Sequence, residues 1–159
     1  MSFLEQDWDF QLVLKYRDVK EEPAVADHNR ETLLRALDKL AAGDTESYWS
    51  IFDPDVVFHE APCLPYGGAH HGLVATQEAV NRMAGVYAKL RTEFEAVLAA
   101  GDIAMVYQTV TYRMKGSGET GSMPVSELYR FRAGKVIEWR ALYFDASIIA
   151  RAVAGALGA

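Results

Sequence analysis

Helix-spaced apolar residues in the first half of the chain and strand-spaced ones in the second predict an α+β domain. In it, three N-terminal helices pack against a curved antiparallel sheet. Residues 28–42, 45–52 and 77–90 carry apolar side chains three or four apart, the repeat of a helix with one buried face. Residues 92–100, 103–114, 123–132 and 136–144 instead carry β-favouring residues separated by AGD, KGSGETGS and AGK, which is turn chemistry. With 159 residues, half of them hydrophobic, the chain has the length and apolar content of one domain with a real core.

Taken in order, residues 1–27 stand apart as an N-terminal extension, in which FQLVLKY suits a short strand or one helical turn and RDVKEEP is charged and broken by Pro23. The domain proper spans residues 28–149. Asp27 is placed to cap the first helix, Leu33, Leu37 and Leu40 share its apolar face, and Gly43 ends it. Either Asp44 or Thr45 can cap a shorter second helix, which must stop near Asp53 because Pro54 disfavours helical geometry in the residue before it. Residues 56–60 form a strand, and Pro62, Pro65, Gly67 and Gly68 make an irregular loop. Thr76 is a candidate cap for the third helix, with Val80, Met83 or Ala84, and Tyr87 on its inner face. After the meander, the tail of residues 150–159 is small, apolar and helical in pattern, suited to pad the domain or to frame a dimer contact.

Charge and cysteine usage narrow the function. Sixteen Lys and Arg against 22 Asp and Glu give a formal charge of −6, and the cations are scattered, which argues against a nucleic-acid partner. The single cysteine, Cys63, has no intramolecular partner for a disulfide and no metal-ligand pattern around it, as expected of a cytoplasmic protein. The first 18 residues lack the basic n-region of a secretory signal, and no stretch has the character of a membrane span.

Two carboxylates in apolar strands are the candidates for chemistry. Strand alternation puts Val56, Phe58 and Glu60 on one face, and Glu127, Tyr129 and Phe131 on one face of a later strand. A carboxylate walled by apolar groups is harder to ionise, so one of the pair can act as a base while the other stays neutral and donates a hydrogen bond. Two plainer readings stay open: Glu60 meeting solvent or capping a loop amide, and Glu127 pairing with Arg113 or Arg140 across strands. His59, His70 and His71 have no spacing that sets three ligands on one rigid element, and His59 should face away from Glu60, so no metal site is expected. A rim histidine, His70, remains a secondary substrate-binding candidate because imidazole titrates near neutrality. Trp49, Phe58, Tyr66, Tyr112, Trp139 and Tyr143 are candidates to line a cavity for a flat, mostly apolar ligand. Asp145 reads as the cap of the tail helix or as a third carboxylate at the mouth. Cys63 has no adjacent base to make it a nucleophile, and Gly67 and Gly68 lack the following helix of a phosphate loop.

The segments AAGD, FDPDVVFHEAP and RFRAGKVIEWRALYFD resemble the NTF2-like superfamily, which includes SnoaL-type polyketide cyclases and Δ5-3-ketosteroid isomerases, over about residues 28–149. The resemblance implies a cone-shaped α+β fold, a small hydrophobic ligand, no cofactor and a homodimer formed through the outer face of the sheet. Laid on the ketosteroid isomerase pattern, Glu60 takes the place of the general base, Glu127, three residues before Arg130 and Phe131, that of the neutral donor, and Tyr87 that of a supporting hydroxyl. The division of labour between two such acids is the worked case of that enzyme. The helix-1 tyrosine of that family falls on Ala36 here, and a second tyrosine of its network falls on Phe52. The resemblance therefore implies proton transfer on a carbonyl or ring compound, by an isomerase, cyclase or dehydratase, or a non-catalytic module that uses the same cone to hold a ligand or pair with a second copy.

Overall fold

The computed structural model describes residues 23–157, so the strand or turn expected in FQLVLKY lies outside the described residues. Helix α1 (Pro23–Ala41) buries Leu33, Ala36 and Leu37 and ends in a Schellman turn. Gly43 takes the left-handed conformation at φ 85°, its N–H bonds Leu40 O at 3.0 Å, and Asp44 N–H bonds Lys39 O at 2.9 Å. Asp27 does not cap this helix, which is already under way at Pro23. Asp44 instead caps α2 (Thr45–Trp49) by accepting from Ser47 N at 3.0 Å.

Helix α2 stops earlier than Pro54 alone requires, because Phe52 has already joined the sheet. Strand β1 (Phe52–Glu60) contains Pro54 within an irregular register between Phe52 and Val57, where its missing N–H costs no ladder bond. The expected loop after Glu60 is shorter than the sequence suggests, since β2 (Gly68–His71) folds back antiparallel on β1 and carries His70 within a strand. Gly67 is required at this turn: a Cβ there would lie 2.1 Å from Ala61 O.

Helix α3 (Leu73–Val86) starts at Gly72, not at Thr76. Thr76 is buried one turn inside, where its hydroxyl donates back to Gly72 O at 2.9 Å. Tyr87 leaves the helix in extended geometry and opens β3 (Tyr87–Ala100), so the expected helical tyrosine is a strand residue. Strands β4 (Ile103–Met114), β5 (Thr120–Arg132) and β6 (Lys135–Tyr143) complete the meander. The β5–β6 turn is a two-residue loop with both central residues at positive φ, Ala133 at 49° and Gly134 at 76°.

The sheet runs β2-β1-β6-β5-β4-β3, curved and unclosed. It is mixed rather than wholly antiparallel: β1 lies parallel to β6, because the chain crosses from β1 to the far edge through α3 and returns strand by strand. Where three N-terminal helices were expected, the described residues hold four, with α4 (Ala146–Leu157) after the last strand. Helices α1 and α2 cover one part of the inner face through Leu33, Tyr48, Phe52, Val106 and Tyr129. The other part is covered by α3 and α4, where Ile149, Ala152 and Val153 pack on Tyr66, Tyr87 and Met114.

Candidate active site

Two acids lie near the meeting of these apolar clusters, Glu60 buried and Glu127 half-buried. Glu60, the last residue of β1, is 4 % exposed. Its Oε1 accepts from Ala61 N at 2.7 Å and its Oε2 from the Tyr143 hydroxyl at 3.2 Å. Burial pushes its carboxyl up to about 7, the hydrogen bonds from Ala61 and Tyr143 pull the other way, and the nearby Glu127 charge adds to the rise.

Glu127 follows from the same alternation on β5. Its Oε1 accepts from Gln108 Nε2 at 3.0 Å, and Oε2 accepts from the Tyr129 hydroxyl. Tyr129 continues to Tyr48 at 3.5 Å between hydroxyls. Burial raises the Glu127 carboxyl above its ordinary range, opposed by Tyr129, Gln108 and the nearby Trp139 indole. That indole N–H lies close enough to favour the charge yet meets no acceptor in hydrogen-bond geometry. The cross-strand ion pair considered for Glu127 is not formed, since Arg140 pairs with Glu138.

Beside Glu127 lies a cavity of about 70 Å³, bordered by Tyr87, Gln108, Val125, Glu127 and Tyr143 and closed by Met83 and Ile149 from the helices. The Tyr87 and Tyr66 hydroxyls are 3.2 Å apart, and burial raises the pKa of both, as it does for Tyr143, so these phenols stay protonated and available as donors. Glu60 reaches this space through Tyr143 and also borders a cleft of about 300 Å³ at the junction of β1 and β6, with Arg140 and Leu142. A larger cleft of about 510 Å³ beside α1 contains no buried acid.

Of the sequence candidates, Glu127, Tyr87 and Tyr143 line the cavity. Phe58 and Trp139 stack 4.2 Å apart in the aromatic core behind Glu127, and Trp49 packs edge-on against Trp139. Tyr66 is buried beside Tyr87, and Tyr112 spends its ring covering Gly121 on the neighbouring strand. His70 stacks on Phe58 and donates from Nε2 to Tyr66 O at 2.9 Å. His59 points away from Glu60 toward Glu138, at 3.6 Å. Asp145 accepts from Ser147 N at 2.9 Å at the start of α4. Among the described residues, no group of three or more His, Cys, Asp and Glu is placed to hold a metal.

Sequence reasoning missed Gln108 and the role of Tyr129. Both carried a signal. Tyr129 is two residues from Glu127 and so on its face, and Gln108 is a lone amide on the inward side of β4 between Val106 and Val110.

The family model described as a SnoaL-like domain matches residues 33–139, about two thirds of the chain. No curated protein matches it significantly. Among solved structures, the chain is similar to an NTF2-like protein of unknown function from Burkholderia pseudomallei, with a TM-score of 0.71 at 18 % identity, covering 79 % of this chain and 97 % of that one. It is similar to TerC co-crystallised with polyporic acid, with a TM-score of 0.69 at 19 % identity, over 80 % and 98 % of the two chains. It is also similar to a candidate SnoaL-like polyketide cyclase from Jannaschia sp. CCS1, with a TM-score of 0.66 at 21 % identity, over 79 % and 91 %. These likenesses are likenesses of fold.

Proposed function

Since the chain belongs to the SnoaL-like domain family, within the NTF2-like superfamily, we propose that it is a cofactor-independent enzyme that moves a proton on a small hydrophobic carbonyl or ring compound. The observation that carries this reading is Glu127, with raised proton affinity, on the wall of a tyrosine-lined interior cavity, together with Glu60, also raised, which is hydrogen-bonded to Tyr143 of that wall. Structural acids are usually buried with a cation, and neither of these has an ion pair among the described residues.

Glu60, ionised above pH 7, takes a proton from the carbon beside the carbonyl, and Tyr143 holds its carboxylate at the cavity edge. Glu127, whose surroundings favour the protonated form, donates toward the oxygen where enolate charge develops, and its hydrogen bonds from Gln108 and Tyr129 fix its direction. Tyr129 thus brings a phenol against this acid although Ala36 offers none. Tyr87 supplies a further hydroxyl at the cavity wall. Typical ligand pockets hold roughly 300–1,000 Å³, so a bound ring requires the flexible side chains of Met83 and Met123 to move aside.

The test is α-proton exchange of cyclohexanone in D₂O, followed by ¹H NMR. The expected result is catalysed exchange that rises with pH to a plateau above about 7 and drops about 100-fold or more in Glu60→Gln. Exchange no faster than in buffer would instead favour the second reading, a non-catalytic ligand-binding module, to which the lack of a helix-1 phenol at Ala36 also points. We further propose a homodimer formed through the outer face of the sheet, where cross-strand rows bring Leu98 beside Met105 and Tyr107 beside Ser126 and Leu142. Leu98, Tyr107 and Leu142 are 67 %, 44 % and 46 % exposed.

A further inference from the structure

Gln108 is 4 % exposed, borders the cavity and uses only half of its amide. Its Nε2 donates to Glu127 Oε1 at 3.0 Å, while its Oε1 has no partner. A buried acceptor left without a donor is rare in a folded protein, and one at the wall of a cavity beside an acid marks where a ligand donor belongs. The orientation of the amide is set by its neighbour: a carboxyl oxygen whose proton is kept for the ligand calls for an N–H at that distance, which leaves the amide carbonyl as the free group. The residues directly across from it on the strands alongside, Val125 and Phe94, carry no donor, and the Thr92 hydroxyl, which borders the same cavity, makes no hydrogen bond to it. Trp139 Nε1 is also unpartnered, but Trp139 does not border the cavity.

The spacing narrows the ligand. Because the amide itself bridges from Glu127 to the free oxygen, the two groups that address the ligand are separated by one amide's width. A molecule that carries an acceptor for Glu127 and a donor for Gln108 on neighbouring carbons suits that separation. We propose that Gln108 is the specificity-determining residue of the pocket, accepting a hydrogen bond from a hydroxyl next to the reacting carbonyl, so that the site selects α-hydroxyketones over simple ketones. This inference rests on the acid/base reading of the site, in which Glu127 faces the carbonyl oxygen. A site that holds an acceptor for a substrate hydroxyl rejects the analogue lacking it, because the buried oxygen is then left unpaired.

The test is an NMR titration of isotope-labelled protein with cyclohexanone and with 2-hydroxycyclohexanone, following the backbone amides of β4 and β5 and the Gln108 side-chain NH₂. The hydroxyketone is expected to bind about 10- to 100-fold more tightly, and Gln108→Met, which keeps length and removes the acceptor, is expected to abolish the preference. Two results overturn the inference and leave the acid/base reading standing: equal binding of the two ketones by the natural protein, or a preference that persists in Gln108→Met. Failure of both ketones to bind overturns this inference together with that reading. The comparison in the natural protein decides the matter even where the methionine variant does not fold.

Discussion

Glu60 is buried with hydrogen bonds but no cation, so its proton affinity in the folded chain exceeds that in the unfolded chain. Its carboxyl titrates at about 7 when folded and near 4.5 when unfolded. Between those values the folded state holds the proton and the unfolded state has lost it, so stability is highest below about pH 4.5 on this account and falls as pH rises toward 7. The loss from this one group is about 3 kcal/mol once both states are ionised. Glu127, also raised, acts in the same direction. Urea unfolding at pH 5 and pH 8 should show the natural protein losing stability across that interval and Glu60→Gln losing clearly less, the variant being the more stable of the two at pH 8. Equal losses would mean that Glu60 is already ionised at pH 5. At this scale the two acids were legible because a strand repeats every second residue, and a carboxylate in phase with Phe58 or Tyr129 must go where those rings go. The pairing of Gln108 with Glu127 was not legible, since 19 positions separate them and only the β4–β5 register brings them together.

At the scale of elements, most boundary differences have local causes. Tyr87 fits a helical spacing with Val80 and Met83, yet it equally fits the start of a strand, and pairing with Met114 decides between them. Thr76 carries a good capping side chain, but Gly72 at φ 87° turns the chain four residues sooner. The β5–β6 hairpin was legible from AGK, although Ala133 is a poor occupant of its left-handed position. Replacing it by asparagine, which tolerates that conformation and forms the favoured Asn-Gly turn, should stabilise the protein by about 1 kcal/mol in equilibrium denaturation. The side chain at 133 is exposed, so no packing loss should offset the gain. A variant no more stable than the natural chain would show that the hairpin turn carries no strain.

For the molecule as a whole, the outer sheet face is the surface that calls for a partner. Light scattering should give the mass of two chains, and Leu98→Glu with Tyr107→Arg, which set charges among exposed apolar residues on neighbouring strands, should give the mass of one without unfolding it. A single-chain mass for the natural protein would remove the dimer. By itself, the sequence determined the α+β class, the order of helices and meander strands, the α1 terminus at Gly43, and which face of its strand each glutamate takes, because these depend on repeats of two and 3.6 residues and on turn residues a few positions apart. Tertiary structure alone decided that β1 lies parallel to β6, that α4 closes the cavity with Ile149, and that Gln108 meets Glu127 at the cavity wall. Those features arise from contacts between segments far apart in the chain, where the energy lies in burying one surface against another and no local pattern records which surface it will be.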